Sequence, residues 1–208
     1  MVQSRKEVWQ EICNEIRQGS THILITGSRG SGKTTLMRCI CGFTRPTSGK
    51  VIVNGKVIGK DVDFPESTGI IIETPGFLAH YSGLRNLKLL AGVSHKADEA
   101  RARAVMKMVK LDPDNKKTVG QYSLGMRQRL GIAQAIMEDP QLLILDEPFN
   151  GLDQDGIHEI HELFQKLKSQ GKTILLASHS ASDISRACDE VFEIKDGVLE
   201  KIPKKDNK

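Results

Sequence analysis

The sequence has few cysteines, few aromatic residues and no long apolar run, and each scarcity excludes a class of protein. Its four cysteines form no Cys-x-x-Cys pair and are too sparse for a disulfide scaffold. Its longest unbroken apolar runs are four residues, whereas a membrane-spanning helix needs roughly 20. Its nine aromatic residues are too few for a base-stacking platform. We therefore expect reduced thiols and no membrane span.

Neither sign of charge dominates, because 30 Lys and Arg residues face 26 Asp and Glu residues. Nucleic-acid-binding domains usually have a clustered basic face and an isoelectric point above about 9, and the value here is about 8.8. The first residues also lack the apolar stretch and small-residue cleavage site of a secretory signal. These features predict a cytoplasmic protein that does not bind nucleic acid.

Four short apolar runs, rich in Ile and Leu and without polar alternation, are typical of buried parallel strands. They cover residues 21–26, 69–72, 141–146 and 173–178. Helical patterns over 34–40 and 157–167 lie between them. Alternation of strand and helix predicts an α/β fold with a mostly parallel sheet. The length of 208 residues fits one domain with a subdomain.

Two further segments add to this sheet. Asn54-Gly55 between two short β runs predicts a small antiparallel patch. Residues from about 74 to about 137 have a helical pattern, in which Ala104, Val105, Met108 and Val109 make one apolar stripe. This block is predicted to be a helical subdomain inserted into the sheet-forming chain.

The segment from Gly27 to Thr34 matches G-x-x-x-x-G-K-[ST] between a strand and a helix, which is the context that a phosphate-binding loop requires. Its backbone N–H groups would face a polyphosphate, and the helix N-terminus would add partial positive charge. Lys33 is predicted to reach the β and γ phosphates, and the Thr34 hydroxyl to coordinate Mg²⁺. An ordinary glycine-rich turn would not explain Gly-Lys-Thr at a helix start. The predicted nucleotide-contacting residues are Gly27, Ser28, Arg29, Gly30, Ser31, Gly32, Lys33, Thr34 and Thr35.

A second motif is the pair of carboxylates, Asp146 and Glu147, that ends the apolar run at 141–146. Charges at the end of an apolar strand are costly unless they are paired or bound to a metal. Mg²⁺ beside the phosphate loop supplies a reason, since the carboxyl ends of parallel strands meet at one edge. Asp146 is predicted to bind the metal, and Glu147 to polarise a water for attack on the γ phosphate. The alternative is a simple helix-capping pair.

A third motif, from Tyr122 to Arg129, would on its own indicate only a serine N-cap before a helix. It resembles the signature sequence of ATP-binding cassette (ABC) ATPases, whose serine and glycine contact the γ phosphate bound to the other subunit. Ser123 and Gly125 match that pattern, whereas Tyr122, Leu124 and Met126 depart from its commonest form. The resemblance implies a P-loop NTPase (RecA-like) core with an inserted helical signature subdomain at about 74–137, all within one ABC ATPase domain over 1–208.

Other positions match the same family in order. Residues 150–153 resemble the D-loop, and His179 resembles the switch histidine that contacts the γ phosphate and helps to position water. Glu73 stands where the family commonly has the Q-loop glutamine, and a carboxylate there can bind Mg²⁺. The alternative for Glu73 is a strand-end side chain that faces solvent. The surrounding stretch resembles the branch associated with bacitracin-type and lantibiotic export or self-protection.

The front of the chain departs from the family, which usually begins with a strand and an aromatic residue that stacks on adenine. Trp9 fits a buried position better than an adenine platform. The spacing of Val8, Ile12 and Ile16 indicates a helix, whereas the resemblance implies an extended segment, which we favour for 12–16. Weak adenine stacking would leave selectivity between ATP and GTP relaxed.

The resemblance implies an ATP-binding and ATP-hydrolysing subunit of an ABC transporter. It would dimerise on ATP with a second ABC ATPase subunit, of the same or another kind, and power a membrane permease that docks near residues 73–86. The protein would then lie on the inner face of the cell membrane, and the branch implies export of a peptide antibiotic or related amphiphile. Two alternatives remain: a poorly hydrolysing partner in a heteromeric complex, and a soluble ABC ATPase without a transport role.

Overall fold

The computed structural model describes residues 22–73, 75–179 and 188–203. Its main sheet has six strands. They are β1 (His22–Thr26), β4 (Thr68–Ile71), β5 (Leu142–Asp146), β6 (Thr173–Ser178), β7 (Glu190–Lys195) and β8 (Val198–Ile202). The strand order is β4-β5-β6-β1-β7-β8, and every neighbouring pair is parallel except β7 with β8. The predicted α/β class with a mostly parallel sheet is confirmed.

The predicted antiparallel patch is the hairpin of β2 (Ile52–Val53) and β3 (Lys56–Val57). Asn54 and Gly55 connect the two strands with φ angles of 50° and 79°. A tight hairpin turn of this kind needs positive φ at both central residues, which Asn and Gly adopt more readily than other residues.

The strand pair β7 and β8 was not predicted. Its turn has the same chemistry as the first hairpin, with Asp196 at φ 50° and Gly197 at φ 74°. An Asp-Gly turn between half-apolar runs is a recognised hairpin pattern. These strands are not marked by a continuous apolar run, because β7 and β8 mix buried and exposed positions.

Five α-helices of the described residues lie around the sheet. They are α1 (Lys33–Ile40), α2 (Gly83–Ser94), α3 (Glu99–Met108), α4 (Leu124–Ile136) and α5 (Gln154–Ser169). The three helices between β4 and β5 lie in the segment predicted to be inserted and helical, together with a short 3-10 helix over Val119–Gln121. Within the described ranges, no helix has both the length and the apolar character needed to cross a bilayer.

Apolar side chains cover both faces of the sheet. Leu24 and Leu176 pack with α3, α4 and α5 on one face, whereas Ile23 and Leu175 pack with α1 on the other. Helix α4 lies so close to β4 that a Cβ on Gly69 would come within 2.0 Å of the Ala135 carbonyl oxygen. Both faces are therefore tightly packed, and the strand ends are held at fixed positions.

The predicted apolar stripe of α3 needs a correction. Ala104 is exposed and Met108 is only half-buried. The helix instead buries Ala102, Val105 and Met106, a face rotated from the predicted one. Short apolar side chains on both faces of this helix left the direction of its core face ambiguous in the sequence.

Candidate active site

The phosphate loop occupies the turn between β1 and α1. Gly27, Gly30 and Gly32 have φ angles of 149°, 84° and 109°, a region that residues with side chains rarely adopt. A Cβ on Gly27 would also lie 2.5 Å from the Ile194 carbonyl oxygen. The glycines of the motif are therefore needed for the backbone path.

Lys33 extends back across this loop. Its side chain is buried, with 7% of the residue exposed, and its Nζ donates to the carbonyl oxygens of Gly27 at 2.8 Å and Ser28 at 3.0 Å. The first residue before α1 is Gly32, which has no side chain to cap the helix. The first-turn N–H groups of α1 are thus directed at the same space as the ammonium group, an arrangement suited to an anion.

Ser31 gives a second indication that the loop fits a phosphate. Its Oγ is buried and has no hydrogen-bond partner among the described residues. Buried hydroxyls without a partner are costly, and a phosphate oxygen would supply the missing bond. Ser28 and Arg29 are exposed on the loop, and Thr35 is exposed on the first turn of α1.

Thr34 and Asp146 meet across the edge of the sheet. The Thr34 hydroxyl donates to Asp146 Oδ2 at 2.6 Å, although 112 residues separate them. Burial raises the pKa of the Asp146 carboxyl above its usual value, a shift that the bond from Thr34 opposes and the charge of Glu147 increases. A hydroxyl beside a buried carboxylate is an oxygen donor pair that fits Mg²⁺.

Glu147 is fixed by the end of β6. Its Oε1 lies 2.7 Å from His179 Nδ1 and accepts from the His179 backbone N at 3.0 Å. The Ser178 hydroxyl donates to Oε2 at 3.3 Å. Glu147 itself has a φ of 50°, a left-handed conformation that is uncommon for this residue and typical of functional sites. The structure thus brings Glu147 and His179 together, and it adds Ser178, which the sequence analysis missed.

Glu73 follows β4 and forms an ion pair with Arg38 of α1. The two side chains are 61% and 42% exposed. The charge of Glu73 also contributes to the raised pKa of Asp146, so Glu73 lies near the predicted metal site. Its role as a metal ligand stays a prediction. Arg38 was missed, although a basic residue four positions after Thr34 lies on the same face of the helix.

Ser123 and Gly125 lie at the start of α4. Ser123 Oγ accepts from the Met126 backbone N at 3.2 Å and so caps the helix. A Cβ on Gly125 would lie 2.8 Å from the Gly151 carbonyl oxygen, so this glycine lets α4 pack against residues 150–153. Among the described residues, no hydrogen bond joins Ser123 or Gly125 to the phosphate loop. Contact with a nucleotide on another subunit stays a prediction for both.

A side-chain contact connects α4 with the rest of the site. Gln128 Nε2 donates to the Glu147 carbonyl oxygen at 3.4 Å. Asp153, predicted to be in the D-loop, caps α5 by accepting from the Gly156 backbone N at 2.9 Å. Trp9 and the segment 12–16 lie outside the described residues.

Comparison with known proteins identifies the family. The model of the ABC transporter family matches residues 10–150, about two thirds of the chain. The chain belongs to the ABC transporter family. This confirms the resemblance drawn from residues 122–129.

Two relatives and one solved structure show how far the similarity extends. The chain is 40% identical to a bacitracin transport ATP-binding protein of Bacillus licheniformis, over 90% of this chain and 62% of the relative. It is 36% identical to a lantibiotic transport ATP-binding protein of Streptococcus pyogenes, over 95% and 85% of the two chains. The dimeric structure of the bacterial ABC transporter cassette MJ0796 has a TM-score of 0.77 at 25% identity, over 89% and 87%.

The chain spans less than two thirds of the length of the bacitracin relative. It is an ATP-binding subunit of an ABC transporter and an ATP hydrolase of that family. The named relatives agree with the branch expected from the sequence around Glu73.

Proposed function

We propose that the chain forms half of an ATP-driven motor, in which two cassettes enclose ATP and Mg²⁺ between the phosphate loop of one and the start of α4 of the other. The observation that carries this proposal is the convergence of Lys33, the Thr34–Asp146 pair and the Glu147–His179 pair at one edge of the sheet. The dimeric state of the similar cassette MJ0796 supports the pairing.

The chemistry follows from these positions. Backbone N–H groups of the phosphate loop and Lys33 hold the phosphates. Thr34 and Asp146 would hold Mg²⁺, and Glu73, the further predicted ligand, would join them only when Arg38 releases it. Mg²⁺ held there would neutralise part of the phosphate charge. Glu147 accepts a proton from a water molecule while the oxygen of that water bonds to the γ phosphorus. The bond between the γ phosphorus and the oxygen that bridges it to the β phosphorus breaks, which leaves ADP and inorganic phosphate. His179 orients Glu147 and contacts the γ phosphate.

A membrane permease would dock in a groove beside β4 and α2, with a volume of about 380 Å³. Phe77 and Leu78, which belong to the segment 73–86 expected to dock the permease, line it together with Phe43, Leu89 and Leu90. Leu78 and Phe43 are 46% and 55% exposed. An exposed apolar groove of this kind is suited to an apolar helix from a partner protein. Tyr81, in the same segment, lies under the guanidinium of Arg85, and 4.4 Å separate the Arg85 Cζ from the ring centroid.

The relatives that are named for bacitracin and lantibiotic transport support export of an amphiphilic peptide. In such a complex the chain would lie at the inner face of the cell membrane, held there by the permease. ATP binding would close the pair of cassettes, and hydrolysis would open it, because the γ phosphate and Mg²⁺ favour one of the two states.

The test is ATP turnover by the chain together with its permease. Glu147→Gln removes the proton acceptor and should lower the turnover rate by about 10²- to 10⁴-fold, the usual contribution of a general base, while ATP still binds. The matched control is Glu162→Gln, since Glu162 is an exposed residue of α5 and its loss should leave turnover unchanged. Full turnover by Glu147→Gln would contradict the proposal.

One observation favours a second candidate, a poorly hydrolysing partner in a heteromer. Glu73 replaces the common glutamine and is engaged by Arg38, which makes the metal site unusual. Slow single-turnover hydrolysis by the unmodified chain with its permease would favour this candidate over the first.

A further inference from the structure

Arg38 and Glu73 form an ion pair that connects the nucleotide-binding helix with the loop after β4. Arg38 lies one helical turn beyond Thr34, on the same face of α1. Ile71 at the end of β4 pairs in register with Leu145 of β5, so Glu73 leaves the sheet at the level of the strand end that carries Asp146. The pair therefore lies beside the hydroxyl and the carboxylate that fit Mg²⁺.

The charge balance at this edge of the sheet indicates the role of Arg38. Three carboxylates lie near this edge of the sheet, from Asp146, Glu147 and Glu73, and a bound nucleotide would add more negative charge. Lys33 is committed to the phosphate loop and His179 to Glu147. The guanidinium of Arg38 is the cation that contacts Glu73, where it offsets the charge that this acidic residue adds.

Contact with Arg38 also decides where the Glu73 carboxylate lies. Glu73 has a φ of 63°, which fixes its backbone in a conformation uncommon for glutamate. Its side chain is 61% exposed and therefore has room to take other rotamers. Without Arg38, the carboxylate would be free to turn towards Thr34 and Asp146 and to add a third oxygen donor to them.

We propose that Arg38 is a positioning residue that holds the Glu73 carboxylate against α1 and thereby sets the affinity of the nucleotide site for its divalent cation. The inference rests on the proposed function, because it assumes that Thr34 and Asp146 bind the cation of a metal–nucleotide complex. It concerns how Arg38 controls the placement of the Glu73 carboxylate.

The test measures Mn²⁺ binding to the full chain in the presence of ADP, from the paramagnetic resonance signal of free Mn²⁺, after subtraction of the Mn²⁺ that the same concentration of ADP binds without protein. Four proteins form a double-mutant cycle: the unmodified chain, Arg38→Gln, Glu73→Gln and the double variant. Arg38→Gln should tighten Mn²⁺ binding by about two- to fivefold, in line with the strength of exposed ion pairs. The same change should have a much smaller effect when position 73 is Gln. Arg38→Lys, which keeps the charge, should bind Mn²⁺ nearly as the unmodified chain does.

Two controls separate this role from a structural one. The side chains of Arg38 and Glu73 are 42% and 61% exposed, and exposed ion pairs contribute little to stability, so the melting temperatures of the four proteins should agree closely. Arg103→Gln removes a partly exposed arginine of α3 that pairs with Glu99 and Asp114, and it should not change Mn²⁺ affinity.

The possible results also separate the inference from the function on which it rests. An equal effect of Arg38→Gln with Glu or Gln at position 73, or no effect in either, would overturn the role of Arg38 and leave the nucleotide site in place. Failure of the unmodified chain to bind Mn²⁺ with ADP would overturn both the inference and the proposed function.

Discussion

The two parts of the proposed catalytic site are built differently within one chain. At the edge of the sheet, Lys33 and Asp146 are 7% and 8% exposed, and the Thr34–Asp146 bond joins positions 112 residues apart. At the start of α4, Leu124 is 50% exposed, and the bond of Ser123 reaches only three residues along the chain.

This difference indicates which part is complete in a single chain. At the sheet edge, the residues proposed as phosphate-binding cation, metal-binding oxygens and proton acceptor already lie together in one chain. The start of α4 is held by local capping and by packing against residues 150–153, and its outer side is open. One part is thus ready to receive a nucleotide, whereas the other is suited to meet a nucleotide that another subunit carries.

The largest expected effect falls on the sheet edge. Lys33→Ala removes a buried ammonium from the phosphate loop and should weaken ATP binding by about 100-fold or more, since truncating a buried charged partner costs about 2 to 5 kcal/mol. Titration with a fluorescent ATP analogue measures this. Lys60→Ala, at an exposed position, is the matched control and should bind ATP normally. Similar affinities for the two variants would show that the loop does not depend on its lysine.

Substitution of Gly125 tests whether this glycine is needed for packing within one chain as well as for contact with a partner subunit. Because a Cβ there would lie 2.8 Å from the Gly151 carbonyl oxygen, Gly125→Ala should destabilise the isolated chain by about 1 to 3 kcal/mol, as overpacking does. Gly92 in α2 has open space around its Cβ position, and Gly92→Ala should stabilise by up to about 1 kcal/mol. Urea unfolding gives both values. Unchanged stability of Gly125→Ala would mean that this contact is easily relieved.

Substitutions of Ser123 separate its capping of α4 from its proposed contact with a nucleotide on a partner subunit. Loss of either capping hydroxyl, in Ser123→Ala or in Ser82→Ala at the start of α2, should cost about 1 kcal/mol of stability. ATP-driven association should fail only for Ser123→Ala. Ser123→Asp keeps a capping oxygen but brings negative charge to the proposed interface, so it should be stable and still fail to associate. Association by Ser123→Asp would contradict the proposed contact with phosphate.

The smallest effect is a pH dependence at Asp146. Burial raises the pKa of this carboxyl in the folded chain above its unfolded value. The folded state therefore binds the proton more tightly. The contribution of Asp146 to stability is greatest below its unfolded pKa, falls as the pH rises from there through the folded pKa, and is constant above that. In metal-free buffer, Asp146→Asn should raise the melting temperature at neutral pH, and this advantage should shrink on acidification. A difference in melting temperature that does not change with pH would show that burial does not control the pKa of Asp146.

The features that were predicted correctly are those that one local sequence pattern determines. Continuous apolar runs gave β1, β5 and β6, because strands buried on both faces need apolar residues at every position. The phosphate loop was found because its glycines are needed for positive φ angles. Asp146 and Glu147 were found because two carboxylates at the end of such a strand require an explanation.

The missed features depend on contacts between distant positions or on mixed patterns. Arg38 and Glu73 are 35 residues apart, and Ser178 is 31 residues from Glu147, so neither pairing leaves a local pattern. Strands β7 and β8 mix exposed and buried residues. The proposed contact of Ser123 with a nucleotide depends on a second subunit, whereas within one chain its bond is the local cap of α4.

The most direct test of the central claim is the mass of Glu147→Gln in solution, measured by light scattering with Mg-ATP and with Mg-ADP. This variant should bind ATP without hydrolysing it. If the sheet edge of one subunit and the start of α4 of another form one site, its mass should double with Mg-ATP and stay that of a monomer with Mg-ADP. An unchanged monomer mass with Mg-ATP, at concentrations that saturate nucleotide binding, would contradict the claim that two such chains suffice to complete the site.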